Sequence, residues 1–264
     1  MSKGTDQIGF SQRIRIEWLE RTADLVLAGN ERKAIISSLQ ELLAGKLSIG
    51  GKAKRGNREK AITILMKTWV TVPHDLTLFR DAGLDLLRRL PEKDHLPIHW
   101  GMTMATYPFW GFVAATVGRL LRLQGSASTI QIQRRIREKY GERETVSRAT
   151  RRLIRSFVDW GVLADSTTKG ICMPAAQRPI TDPDIITWLI EALLHARTDG
   201  AAALKSLLGS PSLFPFSLGK TSRHHFTVSG RMEVISQGPD EDLVTLQLGA
   251  GGRENVMITR QGTT

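Results

Sequence analysis

A chain of 264 residues with 41% hydrophobic and 24% charged positions has an ordinary globular composition, and enough length to bury a core in one large domain or two to three small ones. Its 37 Lys and Arg against 26 Asp and Glu leave a net charge of +11, which points to a polyanionic partner, either nucleic acid or an anionic membrane surface. No run approaches the ~18 apolar residues of a spanning helix, the N-terminus lacks the apolar core of a signal peptide, and the single cysteine, Cys172, excludes an internal disulfide and a multi-cysteine zinc site; the expectation is a cytoplasmic protein with no membrane partner.

Apolar residues at Ile14, Trp18 and Leu25 recur with helical spacing and stop at Gly29-Asn30, so Ile14 to Leu27 is expected to be a helix. Glu31 to Leu43 follows as a second amphipathic helix. The next stretch, LSIGGKAKRGNREK, is too rich in glycine and charge to pack. A third helix runs from about Asn57 through Trp69 to the Val72-Pro73 step, and a fourth from Thr77 to Leu90. Leu96 to Leu123 is strongly apolar but broken at Pro97 and Pro108, which predicts two buried helices.

The middle of the chain holds most of the charge. Arg119 to Arg155 carries eleven Lys and Arg against three Asp and Glu, a net of +8, whereas Thr181 to the end carries seven against nine. Within that middle, Ile130 to Tyr140 and Thr145 to Trp160 read as helices joined by the tight turn GERE. On a wheel of the second helix, Ala149, Thr150, Leu153, Phe157 and Trp160 fall within about 60° of Val146. Arg151, Arg155, Arg148 and Arg152 fall at about 140°, 180°, 200° and 240°, on the face away from the core. Thr145 stands where an N-cap is expected, and Gly161 where a left-handed residue closes the helix. The following VLADSTTKGICMP reads as two short strands with a polar tip at Lys169-Gly170.

Beyond residue 180, Asp182-Pro183-Asp184 starts a helix to Ala196, and Ala201 to Leu208 is expected to be a further short helix. RMEVISQGPDEDLVTLQL alternates around Gly238-Pro239-Asp240 as a β-hairpin; with the helices before it, it reads as a second, degenerate winged helix whose acidic face (Asp240, Glu241, Asp242) suits a structural or partner-binding role. No internal repeat of fixed period is visible. The expected class is mostly α, with a helical N-terminal region (1–106), a central module (107–176), a C-terminal α+β segment with a β-hairpin (177–250) and a loosely held tail (251–264).

The order helix, helix, turn, helix, two-stranded wing over residues 107–176, with the aromatic-Gly-hydrophobic step DWGVL, resembles a winged helix-turn-helix domain. That resemblance implies that Thr145 to Trp160 is a recognition helix entering the DNA major groove. Arg148, Arg151, Arg152 and Arg155 would meet phosphates or guanine edges, Ser147 a base edge or phosphate, and Arg134, Arg135 and Lys169 the backbone. A second basic cluster, Lys46, Lys52, Lys54, Arg55, Arg58 and Lys60, is either a phosphate-tracking loop or a solvated one. The order of elements also resembles the helical accessory A protein of BREX phage-defence systems, where a proline-punctuated middle (KTWVTVPHDL here) precedes a basic winged helix. It implies a small DNA-binding component of a multi-protein system.

Six histidines invite a catalytic or metal reading. His95 and His99 have i, i+4 spacing, but Pro97 lies between them and no third ligand is near in sequence; His224 and His225 are expected on a strand with their rings apart. Phosphate-binding loops, nucleophile elbows and kinase-like sets are missing. The sequence therefore predicts non-catalytic binding of double-stranded DNA, with no cofactor and no metal. A transcription regulator, or a module that binds protein through the same fold, are the alternatives.

Overall fold

The computed structural model describes residues 8–48, 56–236, 238 and 242–247. The chain is mostly helical, with small sheets gathered toward its C-terminal half. Six helices come first: α1 (Ile16–Leu27), α2 (Arg32–Leu42), α3 (Asn57–Trp69), α4 (Thr77–Arg89), α5 (Leu96–Thr106) and α6 (Pro108–Gln124). Every residue of α5 is buried, and the polar ones are satisfied: Thr103 and Thr106 donate to the carbonyls four residues back, at 2.7 and 2.8 Å. Pro97 and Pro108 sit in the first turns of α5 and α6, where a missing N–H costs no hydrogen bond, so they start helices rather than interrupt them. Helix α1 starts two residues later than its periodicity suggests. Ile14 is instead spent on a distant helix: its N–H donates to Ser156 Oγ at 2.9 Å, and its carbonyl accepts from Trp160 Nε1 at 2.9 Å.

From α6 the chain continues through β1 (Ala127–Ser128), α7 (Thr129–Tyr140), α8 (Glu144–Asp159), β2 (Leu163–Asp165) and β3 (Ile171–Pro174). The strands form an antiparallel sheet in the order β1-β3-β2, with Ala127 opposite Cys172 and Ala164 opposite Met173. Thr145 is not the N-cap of α8. Arg143 occupies that position without a side-chain cap, and Glu144 takes the first turn, where the helix dipole favours a negative charge. Gly161, at φ +66°, makes the left-handed turn into β2.

The remaining elements are β4 (Arg178–Ile180), α9 (Pro183–His195), β5 (Ala201–Ala203), α10 (Leu204–Leu208), β6 (Phe216–Leu218), α11 (Arg223–Val228), β7 (Met232–Ser236) and β8 (Asp242–Leu246). The expected hairpin is present as β7 and β8, with Val234 opposite Val244. Its tip residues Asp240 and Glu241 lie outside the described residues, as does the expected tail. Ala201 to Leu208 is not one helix: its first three residues pair with β8, and cross-strand bonding overrides the helical preference of alanine. His224 and His225 lie on α11 rather than a strand, and His225 Nδ1 closes a capping box with Ser222.

The C-terminal segment repeats the topology of the central one. The runs α6-β1-α7-α8-β2-β3 and α9-β5-α10-α11-β7-β8 place helices and strands in the same order (with β6 inserted in the second), and their antiparallel sheets have matching strand orders, β1-β3-β2 and β5-β8-β7.

A single core joins these units to the N-terminal helices. Trp100 of α5 is fully buried against Trp110, Phe157, Trp160, Phe214 and Phe216, with ring centroids 4.4 to 6.0 Å away, and its Nε1 donates to the Ser212 carbonyl at 3.0 Å. Trp188 of α9 stacks on Phe79 at 3.6 Å and lies so close to α5 that a Cβ on Gly101 would come within 2.5 Å of its indole nitrogen. Glycine at 101 is thus a condition for the α5–α9 packing.

Candidate nucleic-acid interface

The back of α8 is apolar and fully engaged: Val146, Ala149, Thr150, Leu153, Ile154 and Phe157 are buried. Three of the four arginines on the other side reach solvent, with side chains 57% (Arg148), 55% (Arg151) and 43% (Arg155) exposed. None of these three is free of charge partners. Glu144 Oε1 is shared by Arg148 Nη2 at 3.5 Å and Arg151 Nη2 at 3.1 Å, while Arg155 Nη1 lies 2.7 Å from both oxygens of Asp165 on β2. Arg152 departs from the expected face. It is half-buried, donates from Nη1 to the Ser11 carbonyl at 2.8 Å, and has its pKa lowered by burial and by neighbouring Arg148. At 240° on the wheel it lies on the flank of the helix that the N-terminal segment covers.

The other expected contacts are distributed around this helix. Ser147 is half-buried in its first turn. Arg134 and Arg135 are exposed on α7, the former within 3.8 Å of Glu138, and Lys169 is exposed on the turn between β2 and β3. The buried thiol of Cys172 beneath that turn has its pKa raised by burial and by Asp165. Of the second basic cluster, Lys52, Lys54 and Arg55 lie outside the described residues. Arg58 opens α3 half-buried, with Nη2 3.5 Å from the Leu47 carbonyl, so it packs on its own loop.

Sequence reasoning missed the carboxylates Glu144 and Asp165 as partners, and it missed the brace behind α8. Arg13 grips Asp159 with two bonds of 2.5 Å, beside the Ile14–Ser156, Ile14–Trp160 and Ser11–Arg152 bonds. The segment from Ser11 to Ile14 therefore lies along the flank of α8 and fixes its orientation. The signal was weak, because three of these bonds use backbone groups that any sequence carries and the Arg13–Asp159 pair spans 146 residues.

A second polar constellation sits under α1 and α5. His95 and His99 do have a third acidic neighbour, Glu20, supplied by α1 from 75 residues away. The three donor atoms lie within 4.8 Å of one another, close enough to ask whether they hold a metal. The proton positions answer against it. Trp69 Nε1 can only donate, and it points at His99 Nδ1 at 3.1 Å, so the His99 proton is on Nε2, the nitrogen that a metal would need. That Nε2 donates to Glu20 Oε2 at 2.7 Å. His95 faces an acceptor at each nitrogen, Glu20 Oε1 at 2.6 Å and the Leu90 carbonyl at 2.9 Å, which calls for the imidazolium. Burial opposes that charge, but the Leu90 and Glu20 bonds outweigh it and raise the His95 pKa. Fully enclosed His99 is lowered by burial, and Glu20 is lowered because the histidine bonds outweigh its own burial. The arrangement is a proton-ordered brace from α1 to α5.

In the second unit, a cleft of about 530 Å³ opens where α11 faces α4, lined among others by Leu86, Arg89, Trp188, His224, Val228 and Arg231. Its cations are occupied: Arg89 bonds Asp184 at 2.5 Å and Arg231 bonds buried Glu191 at 2.8 Å.

Comparison of the chain with protein-family models, with curated proteins and with solved structures gave no match. Among the described residues no helix is long and apolar enough to cross a membrane.

Proposed function

We propose that residues 107–176 form a winged helix-turn-helix module that binds double-stranded DNA without catalysis, with α8 as the recognition helix. The observation that carries this reading is the division of α8 into a buried apolar back and an outer face presenting Arg148, Arg151 and Arg155. The helix-strand-helix-helix-strand-strand order and the β1-β3-β2 sheet suit that fold, and exposed Arg134, Arg135 and Lys169 supply backbone contacts on its flanks. The resemblance to the BREX accessory protein extends the reading to a component of a multi-protein phage-defence system.

The test is duplex binding across a salt series. Each neutralised phosphate adds about 0.9 to the slope of log affinity against log salt. Replacing Arg151 and Arg155 by alanine is expected to lower the slope by about one unit per lost contact, with little change in the thermal midpoint. Unchanged binding by the folded double variant would refute the recognition-helix assignment. Magnesium-dependent cleavage or hydrolysis by the purified chain would refute the absence of catalysis.

A further inference from the structure

We propose that Glu144 and Asp165 stand in for DNA phosphates on the arginine face, so that DNA binds by displacing a carboxylate from each guanidinium. The proposal rests on the DNA-binding reading above and concerns how that site is regulated. A guanidinium presents the same fork of N–H donors to a carboxylate as to a phosphate. In this structure one nitrogen of each fork is already paired, Nη2 of Arg148 and Nη2 of Arg151 with one oxygen of Glu144, and Nη1 of Arg155 with both oxygens of Asp165. The two carboxylates come from either side of the face: Glu144 from the first turn of α8, Asp165 from the strand that follows it.

Two consequences follow from this placement. Each guanidinium is tied to a carboxylate on the outer side of the helix, so part of its rotamer freedom is lost before DNA arrives. At the same time each carboxylate repels a phosphate that approaches without engaging its arginine. All these side chains are substantially exposed, so each pair is weak and can be broken. A closely spaced array of phosphates displaces both carboxylates together, whereas an isolated anion gains one contact at the expense of another. The site is thereby biased toward a polyanion and held below its full affinity.

The experiment measures binding of a fixed duplex to the full chain at moderate salt for Glu144→Gln, Asp165→Asn and the double variant. Glu233→Gln, an exposed change on β7 that raises the net charge equally, serves as the control. Each substitution on the arginine face is expected to tighten binding about two- to fivefold, and the pair about tenfold, in keeping with the strength of exposed ion pairs; the control is expected to leave binding unchanged. Carboxylate variants that bind no better than wild type, while Arg151→Ala/Arg155→Ala weakens binding, would overturn the displacement mechanism and leave the DNA reading standing. Equal tightening by Glu233→Gln would also overturn it, since net charge alone would then account for the gain. Wild-type binding by the arginine variant would overturn the DNA reading and this proposal with it.

Discussion

The units 108–174 and 183–246 pass through six matching elements, yet they present different surfaces. Each third helix ends two residues before a left-handed glycine, Gly161 at φ +66° and Gly230 at φ +65°, and each second strand begins two residues after it. The helices differ in length and chemistry: α8 has 16 residues with arginines facing outward, while α11 has 6 and turns His224 and Val228 into a cleft against α4. The comparison separates what the fold requires from what a surface does. Turn glycines and strand order are common to both units, whereas the charged face belongs to one, and function has to be argued from that face.

The largest expected effect tests whether the units are energetically separate. Trp100 touches α8 through Phe157 and the second unit's inserted segment through Phe214 and Phe216. Trp100→Ala is expected to cost about 3–5 kcal/mol, and calorimetry should show both units melting in one transition. Two resolved transitions, with only one displaced, would mean that the units fold independently.

Next in size is binding. Arg151→Ala/Arg155→Ala is expected to weaken duplex binding at least tenfold, in line with about 1.5 kcal/mol or more for each charged hydrogen bond. His224→Ala on the corresponding helix of the second unit should leave binding unchanged. Loss of DNA binding on the second substitution would make the two units functionally equivalent.

The α5 helix packs against α6 of the first unit and α9 of the second, so its brace matters to both. His95→Gln, which replaces two oppositely placed ring donors and their charge by one neutral amide, is expected to destabilise the chain by about 1–3 kcal/mol. The pH dependence has a definite sign. The His95 pKa is raised, so its contribution is complete below the ordinary imidazole value of 6.5 and is lost as pH rises through the raised value. Glu20 behaves oppositely: its lowered pKa gives stability that is present above the ordinary 4.5 and lost as pH falls. Thermal melts of wild type and His95→Gln should therefore converge as the solution becomes alkaline; a gap that persists or widens there would exclude the imidazolium.

The smallest effect sharpens the comparison directly. Gly161→Ala and Gly230→Ala each place a Cβ in a left-handed turn, and each is expected to cost about 1 kcal/mol. Urea melts giving clearly unequal costs would show that the two turns are not structurally equivalent.

Much of the helical frame was legible in the sequence because its signals are local. The apolar run broken by prolines gave two buried helices, and the apolar stripe of Val146, Leu153 and Phe157 fixed which face of α8 is buried. What escaped was set by tertiary contact. Ala201 to Ala203 became a strand only because β8 lies beside it, and Arg152 left the solvent face only because Ser11 lies over it. The Glu20 brace was hidden for the same reason, since its acid and its histidines are 75 and 79 residues apart. The order of helices and hairpin pointed to a second unit, but the doubled topology left no readable period, because the matching helices differ too much in length.

The strap over α8 bears on how the chain acquires its shape. Ser11 and Ile14 bond to Arg152, Ser156 and Trp160 across separations of 141 to 146 residues. During synthesis the first residues emerge long before their partners, so this seam can close only after α8 has been made. Contacts that distant carry a high loop-closure cost and slow folding. The orientation of the arginine helix thus hangs on a long-range seam, which closes only once segments 141 to 146 residues apart are both in place.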